Sequence, residues 1–186
     1  ATDNEAVLRS SDHGDTWTVV AQGLPVTSLV WDDDGGLYLG THGQGIYRLA
    51  ADGSLLDMAM TEGELASAEI VDLSLVGGHL FAATPTVLFH TEDRGATWAK
   101  TMPLPEQITA VTAIGPRTIY VGTATVGVYK SSDAGLTWQP AWEGLGLAAG
   151  QMVRVTALRA DPSERGLLYV AVDHVVGSTH VHASAA

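Results

Sequence analysis

The chain alternates apolar and polar residues in short runs that are separated by glycine-rich turns. A period of two is typical of β-strands, and no segment sustains the 3.6-residue period of an amphipathic helix. Apolar runs such as Val26 to Trp31 and Leu37 to Thr41 are joined by Asp34-Gly35-Gly36, which suits a hairpin turn because glycine readily adopts positive φ. The pattern predicts an all-β protein of short antiparallel strands.

One turn motif recurs along the chain. It reads Ser-Ser-Asp-His-Gly-Asp-Thr-Trp at residues 10–17, Thr-Glu-Asp-Arg-Gly-Ala-Thr-Trp at 91–98 and Ser-Ser-Asp-Ala-Gly-Leu-Thr-Trp at 131–138, with a degenerate copy at 51–55. The aspartates at 12, 52, 93 and 133 are spaced by 40, 41 and 40 residues. A period near 40 with four short strands per repeat is typical of propeller blades. We therefore predict a β-propeller of four-stranded antiparallel blades, with about four blades present.

The repeat also predicts how the blades divide the chain. Whole blade-like units fall at about residues 26–60, 70–101 and 108–141, while residues 1–21 hold strands three and four only and residues 153–186 hold strands one to three only. Residues 1–12 align with residues 122–133. We interpret residues 1–186 as one partial propeller, a fragment of a larger one. A closed four-bladed ring with one extra strand is the alternative.

The motif Ser/Thr-x-Asp-x-Gly-x-Thr-Trp resembles the Asp-box, also called the bacterial neuraminidase repeat (BNR). The resemblance implies a propeller like those of sialidases and xyloglucanases, sortilin-type receptors and photosystem II assembly factors. A carboxylate that accepts backbone N–H groups a few residues ahead closes a turn, so we expect a structural role. The residues concerned are Ser10, Asp12, Gly14, Thr16, Trp17, Asp52, Asp93, Gly95, Thr97, Trp98, Ser131, Asp133, Gly135, Thr137 and Trp138.

Candidate ligand-binding residues lie on the face opposite these turns, where loops join strand two to three and strand four to the next blade. They are His42, Trp142, Glu143, Asp173 and His174. Trp142 with Glu143 can form a platform for a sugar, or Trp142 packs against a neighbouring blade. Glu143 and Asp173 are also the candidates for a catalytic carboxylate pair, because glycoside hydrolysis uses two such groups.

Charge and composition exclude several function classes. The net charge of −12 argues against nucleic acid and against docking on an anionic membrane, since both require a basic surface. The absence of cysteine excludes disulfides and thiolate zinc sites. We expect no cofactor and no metal site: the acidic run at residues 32–34 lacks EF-hand spacing, and His180 and His182 have no evident third ligand.

The expected function is a non-catalytic module that binds or scaffolds a protein or a glycan, together with the remaining blades of a longer chain. The alternative is a fragment of a propeller glycoside hydrolase, xyloglucanase-like rather than sialidase-like, whose site is completed by residues outside this chain. A sialidase would carry an Arg-Ile-Pro motif, which this sequence lacks. The family implies an extracellular or periplasmic location, although residues 1–6 lack the basic and apolar regions of a signal peptide.

Overall fold

A computed structural model describes residues 5–57, 64–143, 145, 152–164, 166–174 and 179–185. Over these residues the regular structure is entirely β. The strands, in chain order, are β1 (Ala6–Arg9), β2 (Thr18–Gln22), β3 (Val26–Trp31), β4 (Leu37–Thr41), β5 (Ile46–Leu49), β6 (Leu55–Asp57), β7 (Asp72–Val76), β8 (His79–Ala83), β9 (Leu88–Thr91), β10 (Ala99–Lys100), β11 (Ile108–Ala113), β12 (Ile119–Thr123), β13 (Val128–Ser131), β14 (Gln139–Pro140), β15 (Val153–Ala160), β16 (Leu167–His174) and β17 (Thr179–Ala185).

Each sheet is an antiparallel meander whose strands follow chain order. Strands β3–β6, β7–β10 and β11–β14 form four-stranded sheets, β15–β17 form a three-stranded sheet and β1–β2 form a two-stranded one. The predicted all-β chain of four-stranded antiparallel blades is confirmed. Within the described residues, no helix has the length and apolar character needed to cross a membrane.

The fourth strand of a sheet is shorter than the alternation predicts. The sequence predicts a strand over residues 97–101, whereas β10 contains two residues. The amide and hydroxyl of Thr97 both donate to the carboxylate of Asp93, so Thr97 belongs to the turn and does not pair with the neighbouring strand. The predicted continuation of β6 to residue 60 lies outside the described residues.

The chain divides into two compact units, Ala1–Ile70 and Val71–Ala186. The N-terminal unit contains β1–β6. Its apolar cluster joins Ala21 on β2 and Leu24, which follows β2, to Leu37, Leu39 and Leu49 of the four-stranded sheet. Burial of these side chains therefore holds the two sheets of this unit together.

The C-terminal unit contains β7–β17 and two apolar clusters, one at each junction between successive sheets. Phe81 packs with Val111 at the first junction, and Tyr120 packs with Val155 at the second. The second junction is very close: a Cβ built on Gly122 would lie 2.3 Å from Cγ1 of Val155. The absence of a side chain at Gly122 is what allows this approach.

Polar side chains on the first strands of this unit bond to the neighbouring first strand. Oδ2 of the buried Asp72 accepts the amide N–H of Val111 at 3.0 Å and Nη1 of Arg159 at 2.9 Å. The hydroxyl of Ser74 accepts the N–H of Ala113 at 3.0 Å. Hydrogen bonds as well as apolar packing therefore connect β7, β11 and β15.

Candidate functional site

Three loops between a third and a fourth strand share one hydrogen-bond pattern, and we call them the Asp turns (residues 10–17, 91–98 and 131–138). In the third turn, Oδ1 of Asp133 accepts hydrogen bonds from the Ser131 hydroxyl at 2.8 Å and from the N–H of Thr137 at 2.9 Å. Its Oδ2 accepts a hydrogen bond from the Thr137 hydroxyl at 2.6 Å. Ser131 Oγ in turn accepts the N–H of Gly135 at 2.8 Å. Asp12 and Asp93 make the same set of bonds.

These bonds stabilise the ionised form of each carboxyl. The side chain and amide of Thr16 lower the pKa of Asp12 to about 2, and Thr97 and Thr137 do the same to the pKa of Asp93 and Asp133. Donors aimed at a carboxylate favour its charged state because protonation would remove an acceptor. In the degenerate copy, Ser54 lowers the pKa of Asp52 in the same direction.

The residue between aspartate and glycine in each Asp turn has left-handed backbone geometry. The φ angles are 61° at His13, 59° at Arg94 and 62° at Ala134, and the glycines that follow are also positive. Glycine is the residue type that a sequence marks for this conformation, and the residue before it carries no such sign. Two successive residues with positive φ close a tight turn, and a non-glycine residue in this region adds strain that the carboxylate bonds offset.

The third Asp turn is docked on the end of the preceding sheet. Trp138 Nε1 donates to the carbonyl of Met102 at 3.1 Å, and the N–H of Met102 donates to the carbonyl of Gly135 at 3.0 Å. A Cβ on Gly135 would lie 2.4 Å from Cγ2 of Thr101. The motif thus closes its own turn and also contacts the neighbouring sheet.

Opposite the Asp turns of the C-terminal unit lies a set of loops that we call the loop face (the described parts of residues 84–86, 103–107, 124–126, 142–152 and 173–174). Backbone bonds tie it together: Ile108 N–H to Pro85 O, Ala124 N–H to Gln107 O, and Val153 N–H to Thr125 O, each at 2.9 Å. The first and third of these bonds join one sheet to the next, and the second extends the β11–β12 pair at its end. The loop face is therefore a preformed surface.

Trp142 is half-buried on the loop face. Its ring meets that of Tyr129 edge to face, with the centroids 5.4 Å apart and the planes at 89°. Trp142 also packs against the apolar cluster of the second junction. Part of the indole is thus fixed by neighbouring sheets, and the remainder is open to a ligand.

Glu106 lies beside this aromatic pair and was not among the binding candidates chosen from the sequence. Its carboxylate accepts a hydrogen bond from the Thr125 hydroxyl. Burial raises the pKa of the Tyr129 phenol, and the negative charge of Glu106 raises it further. Nothing in the alternation of β13 marked Tyr129, because a half-buried tyrosine on a strand has no distinctive sequence pattern.

The remaining candidates from the sequence occupy separate places. Glu143 is exposed next to Trp142, and Asp173 faces Arg154 across the β15–β16 ladder. His174 is the last residue of β16, opposite Val153, and its side chain lies outside the described part of the structure. The side chains of His180 and His182 on β17 lie outside it as well.

His42 belongs to the N-terminal unit and makes a local contact there. It forms an isolated bridge with Glu69, and its Nδ1 lies 3.4 Å from Oε1 of Glu69. Both side chains are well exposed. This pair is a surface contact, and Coulomb attraction at such a site is weak.

The acidic run at residues 32–34 is organised by an arginine. Nη2 of Arg48 lies 3.0 Å from Oδ2 of Asp32 and 2.6 Å from Oδ2 of Asp34, and Arg48 and Asp32 are nearly buried. The N–H of Gly36 and then Arg48 lower the pKa of Asp34. Within the described chain, no group of three or more His, Asp or Glu side chains is arranged to hold a metal ion.

Comparison with known proteins identifies the family of this chain. Residues 32–173 match the family described as photosynthesis system II assembly factor YCF48. No curated protein matches the sequence.

Solved structures with the same fold include an ancestral GH74 enzyme (TM-score 0.73, 18% identity, 99% of this chain and 27% of that one) and the GH74 enzyme of Niastella koreensis (0.67, 18%, 88% and 28%). YCF48 bound to D1 peptide is also similar (0.57, 18%, 86% and 56%). The chain thus spans 28% of the Niastella enzyme and 56% of that YCF48. The family match covers most of the chain and agrees with the repeated four-stranded sheets, so this BNR-type propeller chain belongs to the YCF48 photosystem II assembly factor family.

Proposed function

We propose that the chain is a non-catalytic propeller module that binds a protein partner through its loop face. The observation that carries this proposal is the Tyr129–Trp142 pair, in which Trp142 of the loop face meets Tyr129 of β13 edge to face, with Glu106 beside them. A rigid, partly exposed aromatic group gives contact area with little loss of conformational entropy on binding. Such groups are the usual centres of binding energy in protein interfaces.

Charge indicates which kind of protein segment fits. The chain carries a net charge of −12, the carboxylate of Glu106 acts electrostatically on Tyr129, and Glu143 directly follows Trp142 in the sequence. An acidic surface attracts a basic partner and accelerates its association. The open part of the Trp142 ring can also receive a Lys or Arg side chain through a cation–π contact. The proposed ligand is an extended basic segment.

The family supports a protein ligand rather than a sugar, since a related YCF48 was solved with a D1 peptide bound. A glycan is the second candidate, because Trp142 and the exposed Glu143 are adjacent and several GH74 enzymes share the fold. A glycoside hydrolase fragment would need further residues to complete an acid–base pair. The structural role of the Asp turns and an exported location remain predictions.

Peptide selection from a random display library against the full chain tests the proposal. Selected peptides should be rich in Lys and Arg, and calorimetry should show that Trp142→Ala weakens their binding by about tenfold or more. Glu106→Gln should reduce the dependence of binding on salt, because one charge is removed. Trp17→Ala is the matched control, since Trp17 belongs to the other unit.

Two outcomes would contradict the proposal. One is a selection that yields no peptide whose binding depends on Trp142. The other is binding of xyloglucan oligosaccharides that Trp142→Ala abolishes, with release of reducing sugar that Glu143→Gln or Asp173→Asn removes; this result would establish the glycan alternative.

A further inference from the structure

The carboxylate of Glu106 is held by a neighbouring loop of the loop face. Glu106 is half-buried in the loop before β11, and its Oε2 accepts a hydrogen bond from the hydroxyl of Thr125, which lies in the loop between β12 and β13. The carbonyl of Thr125 accepts the N–H of Val153 at 2.9 Å, so this second loop is itself tied to β15. The position of the carboxylate is therefore restricted before a ligand arrives, which lowers the entropic cost of binding.

The same carboxylate has no positive partner within the protein. Over the described part of the chain, no ion pair involves Glu106. Lys130 follows Tyr129 on β13, but successive strand residues point to opposite faces of a sheet. The Nζ of Lys130 lies 5.4 Å from the ring centroid of Tyr120. A half-buried carboxylate of this kind is available to a cation that a ligand supplies.

The aromatic pair beside Glu106 is fixed on both sides. Tyr129 packs against the apolar cluster of the first junction, and Trp142 packs against that of the second. Burial raises the pKa of the Tyr129 phenol, and the negative charge of Glu106 raises it further, so the carboxylate acts electrostatically on that ring. A ligand cation at this position would meet an aromatic group and a carboxylate together.

The N-terminal unit contains one cation in such surroundings, and it is an arginine. The guanidinium carbon of Arg48 lies 5.5 Å from the ring centroid of Tyr38. Its Nη2 lies 3.0 Å from Oδ2 of Asp32 and 2.6 Å from Oδ2 of Asp34. A planar guanidinium can stack on a ring and bond a carboxylate with two N–H groups, whereas an ammonium is a compact and more strongly hydrated charge.

We propose that the loop face recognises its protein partner through an arginine side chain, whose guanidinium bonds the Glu106 carboxylate and lies against the exposed part of the Tyr129–Trp142 pair. This inference rests on the proposed function and narrows the basic segment to one that presents arginine rather than lysine. Thr125 is a positioning residue. Its hydroxyl occupies one acceptor site on Oε2 and leaves Oε1 and the other sites to the guanidinium N–H groups.

Four octapeptides test this inference with the full chain. Each alternates glycine with arginine, lysine, asymmetric dimethylarginine or citrulline, and calorimetry at one salt concentration measures the affinities. The arginine peptide should bind about fivefold or more tightly than the lysine peptide, because it makes paired hydrogen bonds. Dimethylarginine keeps the charge and blocks the paired bonds, so it should lose most of this advantage. Citrulline lacks the charge and should bind most weakly.

Variants assign the preference to particular side chains. Glu106→Gln should abolish the preference for arginine over lysine, and Thr125→Val should reduce it about threefold. Thr125→Ser retains the hydroxyl and should retain the preference. Glu164→Gln is the matched control, because Glu164 is an exposed carboxylate in the turn between β15 and β16 and its loss should leave the preference unchanged. Thermal unfolding of each variant separates these effects from a loss of structure.

The outcomes distinguish this inference from the proposed function. If the arginine and lysine peptides bind equally and Trp142→Ala weakens both, the inference is overturned and the proposed function stands. A preference for arginine that survives Glu106→Gln also overturns the inference. If neither peptide binds, or if Trp142→Ala weakens neither, the inference and the proposed function fail together.

Discussion

Gly122→Ala is a sensitive probe of how closely successive sheets pack in the C-terminal unit. A Cβ at this position would lie 2.3 Å from Cγ1, 2.6 Å from Cβ and 3.2 Å from Cγ2 of Val155. Ordinary carbon–carbon contacts begin at about 3.5 Å, so β12 and β15 would have to separate by roughly 1 Å. Val155 is 0% exposed, and its side chain has no open space into which it could turn.

The expected cost follows from two opposing effects. Overpacking a closed core destabilises the fold by about 3 kcal/mol at the upper end of the usual range. Replacing a strand glycine with alanine stabilises it by about 1 kcal/mol, because the unfolded chain loses backbone freedom. The free energy of unfolding should therefore fall by about 2 kcal/mol, and Tm by about 6 °C for a chain of this size.

Val155→Gly should reverse the sign of the stability change that Gly122→Ala produces. By itself it destabilises by about 3 kcal/mol, because it removes a buried valine side chain and adds a strand glycine. It also removes all three atoms that the Cβ of Ala would meet. In the Val155→Gly background, Gly122→Ala should then stabilise by about 1 kcal/mol, which makes the coupling between the two positions about 3 kcal/mol.

Urea unfolding followed by circular dichroism measures all four proteins of this cycle. Gly115→Ala is the matched control: a Cβ at Gly115 meets nothing within 4 Å, so its effect should stay within about 0.5 kcal/mol. The reasoning is refuted if Gly122→Ala is neutral, or if it is equally harmful with and without the Val155 side chain.

Other contacts give shorter predictions. Arg48→Met should lower the free energy of unfolding by about 3 kcal/mol, because it leaves the buried carboxylate of Asp32 without its ion-pair partner. Arg117→Met, at an exposed position, should have little effect. Equal losses in the two variants would contradict the pairing. Asp133 has its pKa lowered from 3.8 to about 2, so its contribution to stability is full above pH 3.8 and is lost as the pH falls through 2. Acid unfolding of Asp133→Asn should therefore depend less on pH in that window, and an unchanged profile would contradict it. Trp138→Phe should cost about 1 kcal/mol in thermal unfolding through loss of its bond to the neighbouring sheet, and Trp17→Phe, whose indole bonds within its own turn, should cost less.

The sequence predicts the strands well because the repeat and the alternation report the same boundaries. The sequence-based bounds of β3, β4 and β12 agree with the structure. The prediction fails where side chains take backbone groups away from the ladder, as Thr97 does at the start of β10. Left-handed geometry at Ala134 was not foreseen, because alanine gives no local sign of positive φ.

The candidate site was predicted only in part, for a physical reason. Trp142 and Glu143 could be chosen because loops of a propeller meet on one face. Glu106 could be placed on a loop of the same face, but its position beside the aromatic pair could not be predicted. Tyr129 could not be chosen at all, because its significance depends on contacts between a strand and neighbouring loops. Arg48 likewise joins Asp32 and Asp34 across the sheet, which changes a run of apparently solvated acids into a nearly buried ion cluster.

What specifies the order of the sheets differs from what specifies each sheet. The Asp turns and the alternation recur and build interchangeable meanders. Some contacts between sheets rest on residues that do not recur: Ser28, Asp72 and Ala110 hold equivalent register positions on first strands, yet Asp72 is the one whose carboxylate bonds Val111 and Arg159. A sheet moved to another place in the chain would keep its own hydrogen bonds and lose these partners. The repeat therefore determines the fold of each sheet, and the positions that break it add contacts that are specific to particular neighbouring sheets.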